Sequence, residues 1–250
     1  MAVHSILPPL LTEAVDEVLR ATGVDHVTHG DGDPVGAAVA AASDPAARAV
    51  IGPFRSADVN EALAATAPAR LPLLAPVATW AGITRDDEPG CDDAPQHDGT
   101  VLRMVARDTV VAERIVERLR GRRALVVAGD HEYGVQLDGQ LRLGGLERVT
   151  EDPDVIVLAG LAGEAEVQTA RALAPLPIIA FDGIQGESFP AQDVTLALVY
   201  TPGPVGVAEA RRAAELVVAA RDLEDMRRLG AFDEHGDPLD PLVRFERYDA

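Results

Sequence analysis

Five short segments combine residue types that can hold a small charged molecule. Gly52-Pro53-Phe54-Arg55-Ser56 and Ala75-Pro76-Val77-Ala78-Thr79 each follow an apolar run and end in a hydroxyl. A hydroxyl beside the unpaired N–H groups that open a helix makes a ready site for a carboxylate or another anion. Taken singly, Ser56 and Thr79 also read as plain helix caps. Tyr133, beside Gly134, stands where its ring can wall a pocket, and Gly160-Leu161-Ala162-Gly163 is a small-residue turn that lets a ligand approach the backbone. Asp182, before Gly183, offers a carboxylate to a ligand ammonium or, more plainly, to a helix end.

The residue types needed for catalysis do not converge. Gly186-Glu187-Ser188-Phe189-Pro190 lacks the closing glycine of a nucleophile elbow. Neither a dinucleotide fingerprint nor a P-loop is present. His26, His29, His131 and His235 are scattered, and of these only His131 falls near the other site candidates. No enzymatic activity and no cofactor are expected. Asp86, Asp87, Glu88, Cys91, Asp92, Asp93, His97 and Asp98 crowd the loop 85–99. Such a set can bind a divalent cation, but its spacing fits neither an EF-hand nor a zinc site, so a solvated loop and no metal are expected. Trp80 reads equally as a cleft wall and as packing.

The elements that must position these residues alternate along the chain. Short aliphatic strands are expected at 25–28, 49–52, 71–74, 101–105, 124–128, 147–150, 155–158, 178–181, 194–199 and 242–245. Helical periodicity appears at 10–21, 35–42, 57–66, 109–119, 133–143, 164–174 and 205–229, with a break near Asp222. Continuous apolar strands separated by helices imply parallel sheets covered on both faces. The pattern is α/β, with two doubly wound parallel-sheet lobes. Ligands in such folds sit at the carboxyl ends of strands, where the five segments fall.

Composition narrows the function. The 250 residues are 47% hydrophobic, enough for a sizeable core. Forty-one acidic residues against 22 basic ones give a formal net charge of -19, and the one arginine cluster, Arg118 to Arg123, suits a helix C-terminus. Nucleic acid is therefore not an expected partner, since phosphate contacts need cation density. The single cysteine, Cys91, excludes an intrachain disulfide. The opening residues carry no basic region and do not read as a signal peptide, which points to the cytoplasm; a removed leader would place the chain in the periplasm or outside the cell.

The segments VIGPFRSADVNEAL, LPLLAPVATWAGIT, ALVVAGDHEYGVQL, DVIVLAGLAGEAEVQTARAL, PIIAFDGI and FDEHGDPLDPLVRFER, with DGDPVGAAVAAASDPAARAVIGP before them, resemble successive motifs of type I solute-binding proteins of ABC transporters for branched-chain amino acids and amides. The likeness runs in order from about Asp25 to the C-terminus. It implies two lobes joined by a hinge, 1–105 with 202–231 and 106–201 with 232–250, closing on a ligand in the cleft. It further implies that Ser56, Ala78 and Thr79 meet a ligand carboxylate, that Val77 beside them also touches the ligand, that Asp182 meets its ammonium, and that Tyr133 and Leu161 contact it from the second lobe. The partners implied are a small amino acid or amide, an ABC permease or a signalling protein, and a second copy of the chain. The opening departs from the family: only Met1 to Pro9 precede the first helix, leaving a short first strand and no cleft loop. A binding-protein-like interaction or sensory domain without a small ligand is the alternative.

Overall fold

The computed structural model describes residues 1–86, 88, 91, 99–129, 132–159, 165–184, 189 and 192–248. Two compact units emerge, Met1–Arg107 with Tyr200–Leu242, and Asp108–Val199 with Val243–Ala250.

The first unit is a five-stranded parallel sheet. Its strands are β1 (Ala2–Ile6), β2 (Asp25–His29), β3 (Ala47–Ile51), β4 (Leu73–Ala75) and β5 (Val101–Arg103), in the order β2-β1-β3-β4-β5. The short first strand anticipated from Met1 to Pro9 is thus a buried central strand. Between the strands lie α1 (Pro9–Thr22), α2 (Pro34–Ser43) and α3 (Ser56–Thr66), and later in the chain α7 (Val207–Ala219) and α8 (Leu223–Gly230). Pro34 at the first turn and the Asp33 side chain, which accepts from Gly36 N, start α2 as the turn chemistry predicts. The break near Asp222 is real: its side chain caps α8 by accepting from Asp225 N at 2.9 Å.

Alternation along β1 shows that helices cover both faces of this sheet. Ser5 Oγ lies 2.8 Å from His26 Nε2, and His26 Nδ1 lies 3.2 Å from Asp16 of α1. On the opposite face His4 Nε2 lies 3.0 Å from Asp44, just beyond α2, and His4 Nδ1 is 3.0 Å from His29 Nε2. With ionised carboxylates, His26 donates to Asp16 and accepts from Ser5. By the same logic, His4 donates to Asp44 through Nε2. The serine–histidine–aspartate sequence resembles a hydrolytic triad, but Ser5 is wholly buried, and the bonds tie β1, β2 and α1 together.

These histidines make the unit acid-sensitive. Burial, then the Arg20 and His4 charges, pushes His26 below the usual histidine range; burial and His4 do the same to His29. The unfolded chain then binds more protons than the folded one below the ordinary histidine value, so stability rises with pH through that window. Urea midpoints are expected to fall between about pH 7 and about pH 5, and less so in His26→Gln. Equal slopes for the two proteins would sink the assignment.

The second unit contains β6 (Ala124–Ala128), β7 (Val155–Ala159), β8 (Ile178–Ala180), β9 (Val194–Leu198) and β10 (Arg244–Arg247), ordered β10-β9-β8-β7-β6, with only β10 antiparallel. Its helices are α4 (Asp108–Arg118), α5 (Glu132–Leu143) and α6 (Ala165–Ala172). A core of Ile156, Leu158, Val167, Ile178 and Leu196 fills it. The strand expected at 147–150 is reduced to one parallel bridge between Ala124 and Arg148. Arg148 turns aside to pair with Asp138 of α5 at 2.9 Å. The last strand lies at Arg244–Arg247, two residues later than its apolar residues suggest. It is an edge strand whose mixed Arg/Phe/Glu composition hides it.

The segment 232–242 departs from the lobe division that the resemblance implies. It belongs to the first unit, because Arg103 N donates to Gly236 O at 2.8 Å and Asp237 is ion-paired to Arg103, Arg85 and Arg107. Among the described residues no helix is long and apolar enough to cross a membrane.

Candidate functional site

The strand order of the first unit reverses between β1 and β3, and in doubly wound sheets such a reversal opens a crevice at the carboxyl ends. The turn leaving β3 begins with Gly52 at φ 105°, joined to Pro53 by a cis peptide. Ser56 is the first residue of α3 and not its cap; the preceding Arg55 occupies the cap position without a side-chain capping bond. Freed from capping, the Ser56 hydroxyl accepts a hydrogen bond from Trp80 N at 3.3 Å. That bond brings the turns after β3 and β4 together, two segments that the sequence could only place separately. Arg55 pairs with Asp58 in the first turn of α3 at 2.8 Å, which offsets the one carboxylate that would repel an anion there.

The helix expected after Thr79 is a single 3-10 turn, Ala81–Ile83, entered at Trp80. Thr79 therefore does not cap an α-helix. Val77 and Ala78 are buried and Thr79 is half-buried. Neither the N–H nor the hydroxyl of Thr79 has a hydrogen-bond partner among the described residues. What the turn offers an anion is this backbone N–H and hydroxyl pair.

Under the turn lies a residue that sequence reasoning passed over. Arg103, at the end of β5, is fully buried. It donates to Ala78 O at 2.9 Å, Trp80 O at 2.8 Å, Ala81 O at 3.3 Å and Thr84 Oγ1 at 2.8 Å. Its Nε donates to Asp237 Oδ1 at 3.0 Å. Asp237 also accepts from Thr84 Oγ1 at 2.7 Å, Arg85 Nε at 2.9 Å and Arg107 at 3.2 Å. Burial works against the Asp237 charge, yet the Arg103 charge and the bonds from Thr84 and Arg85 hold its carboxyl below the usual carboxylate range. The available signal was a lone arginine inside the apolar run Val101-Leu102-Arg103-Met104-Val105, since a fully buried arginine is nearly always paired.

In the second unit, Tyr133 lies in the first turn of α5, half-buried, beyond the carboxyl end of β6. Asp182 opens a 3-10 turn, Asp182–Ile184, beyond the carboxyl end of β8, also half-buried. Leu161 and His131 lie outside the described residues, as does most of the acidic loop 85–99. Among the described residues, no group of three or more histidine, cysteine or acidic side chains is placed to hold a metal ion. A groove of about 550 Å³ lies between Leu125–Val126 and Arg148–Glu151. It contains none of the expected residues, being the gap left beside β6 once the 147–150 segment departs.

Two parallel-sheet units of this kind define the fold of type I periplasmic binding proteins, and solved structures share it over nearly the whole chain. An ABC transporter substrate-binding protein from Desulfitobacterium hafniense in complex with Leu superposes with a TM-score of 0.75 at 19% identity, covering 100% of this chain and 97% of that one. The leucine-binding protein LivK of Thermotoga maritima gives a TM-score of 0.71 at 18% identity, with 98% and 97% covered. A solute-binding protein from R. palustris in complex with 4-hydroxybenzoate gives 0.61 at 13% identity, with 91% and 83% covered. No protein-family model matches the chain, and no curated protein matches it in sequence.

Proposed function

We propose that this chain is a non-enzymatic receptor for a small polar ligand, an amino acid or amide in the first instance, working with an ABC permease. The observation that carries the reading is the bond from Trp80 N to Ser56 Oγ. It joins two strand-end turns into one surface on which the Thr79 N–H and hydroxyl remain available. Ser56, Ala78 and Thr79 receive the ligand's anionic end with Val77 beside them, Asp182 receives its ammonium, and Tyr133 packs against its body. The neighbours support the ligand class: two are leucine-binding or leucine-bound and a third holds an aromatic acid. Work beside a permease implies a place outside the cytoplasmic membrane.

Thermal-shift and calorimetric titration with L-leucine, L-isoleucine and 4-hydroxybenzoate test this. A ligand at 100 times its Kd stabilises by roughly 2.7 kcal/mol. Asp182→Ala is expected to weaken L-leucine by roughly tenfold or more, the worth of one charge-assisted bond. The same change should leave 4-hydroxybenzoate, which has no ammonium, nearly unchanged. Equal losses for both ligands would remove Asp182 from that role, and a flat screen across all three would overturn the receptor reading in favour of a protein-interaction domain.

A further inference from the structure

We infer that Arg103, held by Asp237, is the positioning residue that sets the anion-receiving turn 78–84. The inference rests on the receptor reading for its purpose, though the geometry stands by itself. Each N–H of a trans peptide points opposite its carbonyl. The Ala78–Thr79 peptide is trans, and its carbonyl is gripped by Arg103 at 2.9 Å. The Thr79 N–H is therefore directed away from Arg103, and it has no partner among the described residues. One turn later the carbonyls of Trp80 and Ala81 are drawn to the same guanidinium. From the opposite direction, Trp80 N is fixed to Ser56. The turn is thus tied on both sides, its carbonyls to a buried cation and one N–H to the neighbouring strand end.

Arginine is required here for its shape. Its planar fork supplies five donors in fixed directions, and the charge does not titrate. Nε is committed to Asp237, which leaves the two terminal nitrogens to span Ala78 and Trp80. Asp237 is delivered by the turn at Gly236, where φ is 93° and an added Cβ would stand 2.1 Å from Val101 O. Residues 233–237 are therefore part of the binding machinery of the first unit, although they follow β5 by some 130 residues.

Trp80 is the only tryptophan in the chain, so its fluorescence reports on the turn with or without ligand. The full-length wild type is compared with Arg103→Lys, which keeps the charge but reaches fewer carbonyls, and with the milder Thr84→Val. Val167→Ala, in the core of the second unit, controls for general destabilisation. Arg103→Lys and Thr84→Val should raise acrylamide quenching of Trp80 in the folded protein. Arg103→Lys should also weaken L-leucine roughly tenfold or more, while Val167→Ala should change neither. Unchanged Trp80 quenching in a folded Arg103→Lys or, if that variant does not fold, in Thr84→Val would overturn the positioning role. A wild type that binds none of the three carboxylates would overturn the receptor reading alone, since the quenching result still decides whether Arg103 holds the turn.

Discussion

Asp237→Ala is expected to lower stability by about 3–5 kcal/mol, the cost of stranding one member of a buried ion pair. At this chain length the midpoint shift is on the order of 10 °C. Arg103 is fully buried and loses the carboxylate that its Nε meets at 3.0 Å, while Arg85 and Arg107 each lose one bond. Adding Arg103→Met to the same chain should recover part of the loss, because removing both members of a buried pair avoids the uncompensated charge. The pH dependence follows with a definite sign. The Asp237 carboxyl is held below its ordinary value in the folded state. Its contribution is therefore present above the unfolded pKa, roughly 3.9, and is lost as pH falls through the lower folded value. Wild type should lose stability in this acid range more steeply than Asp237→Ala. Parallel acid limbs in the two proteins, followed by urea denaturation, would contradict the assignment.

Gly52→Ala is the second change with a large expected cost, about 2–4 kcal/mol from backbone strain together with a steric clash. At φ 105° an alanine is already strained, and its Cβ would stand 2.3 Å from Ile6 O. That atom is backbone in the central strand β1 and has no flexible end to swing aside. Gly52 N is also bonded to Leu74 O at 2.8 Å, so relief by rotating the turn would separate β3 from β4 and disturb Ser56 four residues on. Gly23 provides the comparison. It has φ 70° at the end of α1, but nothing lies within 4 Å of an added Cβ, so Gly23→Ala should cost only about 1–2 kcal/mol. Equal losses in thermal unfolding would show that the Ile6 contact relaxes freely.

Much of the fold is legible along the chain because it depends on local periodicity. The aliphatic runs of β3, β4, β6, β7 and β9 and the helices between them follow from patterns within a dozen residues. The start of α2 at Pro34 and the break at Asp222 follow from the chemistry of single residues. The strand expected at 147–150 but not formed is instructive. Glu147-Arg148-Val149-Thr150 has strand-like residues at its end, but whether they pair depends on where Arg148 finds its carboxylate, and that is Asp138 on α5. Likewise Ser56 and Thr79 suit helix caps by type, yet α3 begins at Ser56 and the turn entered after Thr79 is 3-10, Ala81–Ile83. Cap geometry turns on one residue of helix register, finer than a hydrophobic pattern resolves.

By itself, the sequence determined the α/β class, the alternation of strands and helices, the placing of polar residues at strand ends, and the acidity that disfavours nucleic acid. These are set by composition and by neighbours a few positions apart. Tertiary structure alone decided the strand order, the meeting of Ser56 with Trp80, the pairing of His26 with Ser5 and Asp16, and the recruitment of Asp237 to Arg103 across 134 positions. The physical reason is that a buried polar group must find a partner wherever the packed chain presents one. Periodicity shows that a side chain is buried, whereas its partner is chosen by how the strands and helices come together.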